Sequence, residues 1–282
     1  MKEINVSRVI PVVKKLCIDS NYYASPDVVE KIEYFLEKEE SPTARDILNL
    51  ILENHKKAAE EQMPMCQDTG VAVVFVELGQ DVHLIGGDFN EAINEGVRQG
   101  YQEGYLRKSM VDDPVIERKN TKDNTPALIY TEIVPGNSLK ITVAPKGGGA
   151  ENMSEVKMMK AADGIEGVKD FVVDRIKRSG GNPCPPVVVG VGIGGSFEQS
   201  ALLAKKALLR PLNEKNPDPK WAAVEDEILE RINKLGIGPQ GLGGRTTALA
   251  VQILYKPCHI ASMPVAVNVN CHAHRHLSAV ID

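Results

Sequence analysis

Residues 182–210 read NPCPPVVVGVGIGGSFEQSALLAKKALLR. A cysteine locked between prolines, Cys184, leads into a β-branched apolar run of strand length, then a glycine turn, then apolar residues at helical spacing. A strand feeding a helix through a short turn predicts a mixed α/β fold, with β-sheets surrounded by helices. The glycines Gly190-Val191-Gly192-Ile193-Gly194-Gly195 formally match the dinucleotide pattern G-x-G-x-x-G. That pattern also needs a second strand with an acidic residue at its tip. Here the helix gives way instead to RPLNEKNPDPK from Arg210 to Lys220. A nucleotide-binding module stays an alternative on the glycines alone.

Outward from this unit, the first 62 residues predict a helical N-terminus. Val6, Val9, Ile10, Val13, Leu16 and Cys17 share one helical face, which makes Cys17 a core residue. Ser25-Pro26-Asp27 and Ser41-Pro42-Thr43 are helix starts, the latter sending Ile47, Leu50 and Ile51 inward. Val71–Leu78 is a continuous apolar strand. Asp88 with Glu91 fits a capping box that opens a helix, and Arg107 sits where that helix ends. Ala127–Val134 and Ser138–Ala144 flank Pro135-Gly136-Asn137, which predicts a hairpin. In PKGGGAENMSE, glycines 147–149 run toward a predicted helix start at Asn152, with Glu155 at capping-box spacing. Such a run is either an anion cradle or a flexible turn. Further helices are predicted around Val168–Ile176 and Trp221–Ile232, and two alternating strands, Leu249–Tyr255 and Val265–Val269, close the chain. No internal repeat or linker is legible. The expectation is one large domain over 1–282, a helical segment 1–62 preceding an α/β body 63–282.

With 282 residues and 43% hydrophobic content the chain can bury a substantial core. A formal charge of −5 and the lack of any basic run argue against nucleic acid as a partner. No apolar stretch approaches a spanning helix, and the N-terminus, broken by Ser7, Arg8, Lys14 and Lys15, is no secretory signal; the expected compartment is the cytoplasm. The five cysteines, odd in number and scattered, argue against a disulfide framework and read as reduced thiols.

Three of those thiols stand apart. In MPMCQDTG, Met63–Gly70, Cys66 is followed by Gln67 and Asp68, polar groups a plain core has no use for. A thiolate ligand beside two substrate-handling side chains is one reading, a buried small hydrophobe the other. Cys184 and Cys271 likewise fall at breaks between regular elements. The three are too far apart in sequence for a compact ferredoxin spacing. The tail NCHAHRH puts His272, His274 and His276 on one face if it is a strand, so a zinc-binding module is a further alternative.

The segments MCQDTG, PKGGGAEN, NPCPPVVVGVGIGGSFE, GIGPQGLGGRTTALAV and SMPVAVNVNCHAHRH resemble, in order and through essentially the whole chain, the signature blocks of the class I, oxygen-sensitive fumarase family. That family includes the L(+)-tartrate dehydratases. The resemblance implies a hydro-lyase interconverting (S)-malate and fumarate, or one acting on L(+)-tartrate. It assigns Cys66, Cys184 and Cys271 as ligands of a [4Fe-4S] cluster with one iron lacking a protein ligand. It places Gln67 and Asp68 on the substrate, and Arg107, Gly149, Asn152 and Ser154 on its distal carboxylate. His259 becomes an active-site position and Cys258 structural. The family's smaller swivelling domain is missing from these blocks, so the resemblance implies an α subunit whose β partner completes the active site in a larger heteromer.

Overall fold

The strand and helix predicted within residues 182–210 are present as Val187–Gly195 and Phe197–Ala207. The computed structural model describes residues 2–282. Its first elements are β1 (Lys2–Asn5), α1 (Val9–Tyr22), α2 (Pro26–Lys38), α3 (Pro42–Glu61), β2 (Val71–Gly79), β3 (Val82–Ile85), α4 (Phe89–Glu103), β4 (Leu128–Val134) and β5 (Leu139–Lys146). Then follow α5 (Gly148–Glu151), β6 (Glu155–Met159), α6 (Gly164–Ser179), β7 (Val187–Gly195), α7 (Phe197–Ala207), α8 (Pro219–Asn233), β8 (Ala248–Cys258), β9 (Met263–Asn270) and β10 (Leu277–Ile281). The class is mixed α/β, as predicted. The helical N-terminus is present too, although a short strand, β1, precedes it.

The chain forms two compact units. One holds the residues up to Ser25, His55–Gly148 and Arg275–Asp282; the other holds Pro26–Asn54 and Gly149–His274. Neither is a single stretch of sequence. In the first unit a four-stranded sheet runs β10-β5-β2-β4, with β2 parallel to β4 and antiparallel to β5. In the second the order is β6-β9-β7-β8, with β7 parallel to β8 and antiparallel to β9. These are the same plan: a central strand takes a parallel neighbour on one side and an antiparallel one on the other, and an outer antiparallel strand finishes the sheet. The repeat absent from the sequence is therefore present in the topology. Backbone pairing carries it, and no shared residue pattern does.

The same plan corrects the predicted hairpin. β4 and β5 are real strands but do not pair, because β2 lies between them. The link at 135–138 passes over the end of β2, where Gly79 N–H donates to Ser138 O (2.9 Å) and Asp81 N–H to Gly136 O (3.0 Å). The helix start expected at Asn152 is also displaced. A single helical turn begins earlier, at Gly148, and Glu155 opens β6 instead. Asp88 does cap α4, accepting Glu91 N–H at 2.8 Å. On α3 the inward residues include Leu48 and Ile51, whereas Leu50 points outward at 61% exposure.

Within the second unit β7 is covered on both faces. Val187, Val189, Val191 and Ile193 pack with α6 and α8 residues such as Phe171, Val172, Ile228 and Ile232. Val188, on the other face, packs with Val28, Ile32, Leu48 and Leu208. Gly190 and Gly192 share that second face by the two-residue period of a strand. A Cβ on Gly190 would stand 2.1 Å from Ala204 O, and one on Gly192 2.0 Å from Ser200 O. These glycines let α7 lie directly against the strand. Only Gly194 and Gly195, with φ of +83° and +67°, make the turn. The dinucleotide pattern is thus a packing feature, and that alternative loses its support.

The glycine-rich segment 236–247 is closed by a carboxylate of the same unit. Glu39, 4% exposed, accepts the N–H groups of Arg245 (3.0 Å) and Thr246 (2.8 Å) and the Thr246 hydroxyl (2.7 Å). Burial pushes its carboxyl pKa upward. The hydrogen bonds from the Thr246 hydroxyl and from the Arg245, Ser41 and Thr246 amides outweigh that and hold it below the ordinary range. A lowered folded pKa gives stability that is complete above the unfolded-state pKa and is lost as pH falls through the folded one. Glu39→Gln is therefore expected to cost about 2 kcal/mol at neutral pH, with the gap from wild type narrowing below about pH 4. Urea unfolding at both pH values checks this, and an unchanged gap would contradict it. Among the described residues no helix is long and apolar enough to cross a membrane.

Candidate functional site

In the first unit Cys66–Gly70 is the turn between α3 and β2, and Met65 N–H anchors its start on Asn21 O at 2.9 Å. Cys66 and Asp68 are half-buried and Gln67 is exposed. The Asp68 carboxylate takes Gly70 N–H on Oδ1 (3.0 Å) and Gly148 N–H on Oδ2 (2.8 Å). One side chain therefore joins the MCQDTG turn to the glycine run, two of the predicted site segments. Gly70 has a φ of +71°, and a Cβ there would meet the Lys146 backbone at 2.5 Å, so only glycine lets these segments approach. Thr69 Oγ1 donates to Arg107 O at 3.0 Å, which fixes the backbone of Arg107 beside the turn while its side chain is exposed.

In the second unit Cys184 is exposed and has a φ of +54° between two prolines. Its carbonyl accepts His272 N–H at 3.1 Å, which ties the residue after Cys271 to Cys184. His272 Nδ1 lies 3.1 Å from Gln240 Nε2 and 3.2 Å from Cys184 O, while Gln240 Nε2 also donates to Pro185 O at 2.9 Å. Cys184, Cys271, His272 and Gln240 thus form one neighbourhood. Gln240 was not singled out from sequence, and His272 only as a possible zinc ligand. The available signal was a lone amide side chain inside an otherwise glycine-rich loop. Gly149 belongs here too, since a Cβ on it would lie 3.6 Å from Asn182 O, two residues before Cys184.

Asn152 is exposed, and Ser154 Oγ accepts from Asn268 Nδ2 at 2.7 Å. The same Nδ2 reaches Glu151 at 2.8 Å, and Lys205 pairs with Glu151 at 2.7 Å. His259 lies exposed on the link from β8 to β9, where its Nδ1 accepts Ala261 N–H at 3.1 Å. Cys258, beside it, has its Sγ 3.1 Å from Ser262 O. Cys17 is fully buried, and desolvation pushes its thiol up to about 12, so it is a core residue as predicted.

The histidine tail does not form the predicted strand face. β9 ends at Asn270 and β10 begins at Leu277, so the two-residue alternation never applies. His272 is engaged as above, and His274 Nδ1 lies 2.8 Å from Asn270 Nδ2. Among the described residues no group of three or more His, Cys, Asp or Glu side chains stands ready for a metal ion.

A family model described as "Fumarate hydratase (Fumerase)" matches residues 10–280. The chain belongs to the fumarate hydratase (Fumerase) family. A relative from Methanocaldococcus jannaschii, the "Putative L(+)-tartrate dehydratase subunit alpha", is 42% identical over 274 residues, 95% of each chain. The "L(+)-tartrate dehydratase subunit alpha" of Escherichia coli strain K12 is 36% identical over 251 residues, 88% of this chain and 82% of its own. That of Shigella boydii shows the same identity and coverage. A Fumerase-family chain with these relatives is a hydro-lyase, an enzyme that removes or adds water across a carbon–carbon bond. The subunit names of the relatives imply a multi-subunit enzyme.

Proposed function

We propose that this chain is the α subunit of a cytoplasmic iron–sulfur hydro-lyase that reversibly dehydrates (S)-malate to fumarate, with a β subunit completing the active site. The observation that carries the reading is the pairing of Cys184 with the Cys271 segment through His272 N–H. It sets two thiol-bearing loops side by side outside regular structure. Cluster ligands must be soft donors clear of the apolar core, and Cys66, Cys184 and Cys271, half-buried or exposed, meet that condition where Cys17 does not. The donor set fits a [4Fe-4S] cluster held by these three thiolates with one iron left without a protein ligand. When bound, such a cluster supplies a Lewis acid for the substrate hydroxyl.

The chain's own residues orient the dicarboxylate. Gln67, exposed next to Cys66, presents an amide to the substrate. Asp68 keeps acceptor capacity beyond its two backbone bonds and aligns the glycine run with the turn. Arg107 offers a guanidinium fork to the distal carboxylate, with Gly149, Asn152 and Ser154 supplying further polar contacts. Asp68 and His259 are the catalytic candidates, His259 presenting an imidazole on an exposed link. A strong base for the carbon-bound proton is assigned to the β partner.

A second reading, dehydration of L(+)-tartrate, is favoured by the printed names of the relatives. The test is anaerobic loading with iron and sulfide, addition of the β partner, and comparison of kcat/KM for the two substrates. A higher value for malate supports the first reading and the reverse order the second. A loaded pair that turns over neither acid overturns both.

A further inference from the structure

We propose that Arg275 and Tyr101 are positioning residues for the Cys66–Gly70 turn, acting through its main-chain carbonyls. The inference rests on the reading of that turn as part of the site. Within the first unit three consecutive carbonyls of the turn each receive a buried side chain from a different part of the chain. The Arg275 guanidinium, on a residue 3% exposed, donates to Asp68 O. The Tyr101 hydroxyl, on a fully buried ring of α4, lies 2.9 Å from Thr69 O and 3.0 Å from Gly70 O. Asn124 Nδ2, also fully buried, donates to Gly70 O at 3.2 Å.

Burying a guanidinium is costly, and a neutral donor would satisfy one carbonyl. A charged, planar donor on Asp68 O has a further effect. It fixes the peptide plane that follows Asp68, and with it the direction in which the carboxylate leaves the backbone. That carboxylate must reach Gly70 N–H and Gly148 N–H together. Releasing Asp68 O lets the plane rotate, and the bond to Gly148, the longer-range of the two, is the first to lengthen. The clamp therefore sets both the Cys66–Asp68 geometry and the register of the glycine run against it.

The test uses the complete α/β enzyme carrying Tyr101→Phe, Arg275→Met or Arg275→Lys. Tyr101→Phe is expected to lower kcat by about tenfold and Arg275→Met by about 100-fold, with little movement in KM. Arg275→Lys, which keeps a charged donor, should restore part of the loss. Amide exchange supplies a readout independent of turnover: Gly70 and Gly148 should exchange faster in Tyr101→Phe and Arg275→Met, while the β2 and β5 interiors stay protected. Wild-type exchange at both glycines, or equally faster exchange throughout β2 and β5, overturns the proposal. If Arg275→Met does not fold, Tyr101→Phe, which removes one oxygen, decides. A wild-type enzyme that turns over neither acid would defeat the functional reading, and the exchange data would still decide the clamp.

Discussion

Replacing Cys66, Cys184 or Cys271 singly by serine is expected to abolish stable iron loading and turnover, whereas Cys17→Ala and Cys258→Ala keep both. Serine is nearly the same size as cysteine, so the first three changes leave packing almost untouched while removing a soft thiolate from the donor set. All three positions are half-buried or exposed, so the added hydroxyl also finds water. Cys17 contributes apolar volume to the core of the first unit, and its thiol, pushed up to about 12, carries almost no thiolate at neutral pH. Alanine there costs about 1 kcal/mol and leaves loading intact. Cys258 is exposed at the end of β8, next to His259, which makes it the sharper control. Iron and acid-labile sulfide per chain after anaerobic reconstitution, with the visible spectrum, provide the measurement. About four iron per wild-type chain is expected for one cubane. Equal loading in all five variants would remove the assignment.

Gly192→Ala is expected to cost more than about 4 kcal/mol, enough to leave little folded protein. The new methyl carbon would lie 2.0 Å from Ser200 O and 2.5 Å from Ala204 N, both backbone atoms of α7 that no rotamer change can move aside. Relief requires lifting α7 off β7, which opens the face where Val188 meets Leu208 and Leu212. Gly149→Ala makes the contrast. Its Cβ meets only Asn182 O at 3.6 Å, an ordinary contact, and the residue is exposed. That variant should unfold within about 1 kcal/mol of wild type. Urea unfolding of the two variants is decisive: a Gly192→Ala protein as stable as Gly149→Ala would show that helix and strand can separate at no cost.

Gly190 and Gly192 also show where the sequence misleads. G-x-G-x-x-G is a string, and the same spacing serves a phosphate-binding turn or a strand pressed against a helix. Local signals made several elements legible: Val71–Leu78 as an unbroken apolar run and the helix opened by Asp88 from its capping box. The strand from Val187 was legible only as far as its glycines, which read as a turn although β7 runs through them to Gly195. Pairing between strands was not legible, since no local signal says that β2 separates β4 from β5. For the candidate site, Cys66, Gln67, Asp68 and the glycine run stood out because polar groups interrupt apolar runs. The Asp68–Gly148 bond and the His272–Cys184 bond join residues 80 and 88 positions apart, beyond the reach of any window of sequence. Leu50 shows the same limit in reverse, an apolar residue at nearly the right helical angle that nothing covers.

β10, made about 130 residues after its partner, pairs with β5 and carries Ile281 into the core of the first unit. A ribosome delivers residues from the N-terminus at about 5–20 per second. The β2–β4–β5 part of the first sheet is therefore out of the exit tunnel long before its outer strand has been made. Through that interval the free edge of β5 is an unsatisfied row of N–H and C=O groups, open to any extended chain nearby. Truncated translation products would remain in that state permanently. A cell that makes this protein has reason to shield the growing chain until β10 has emerged and closed the sheet.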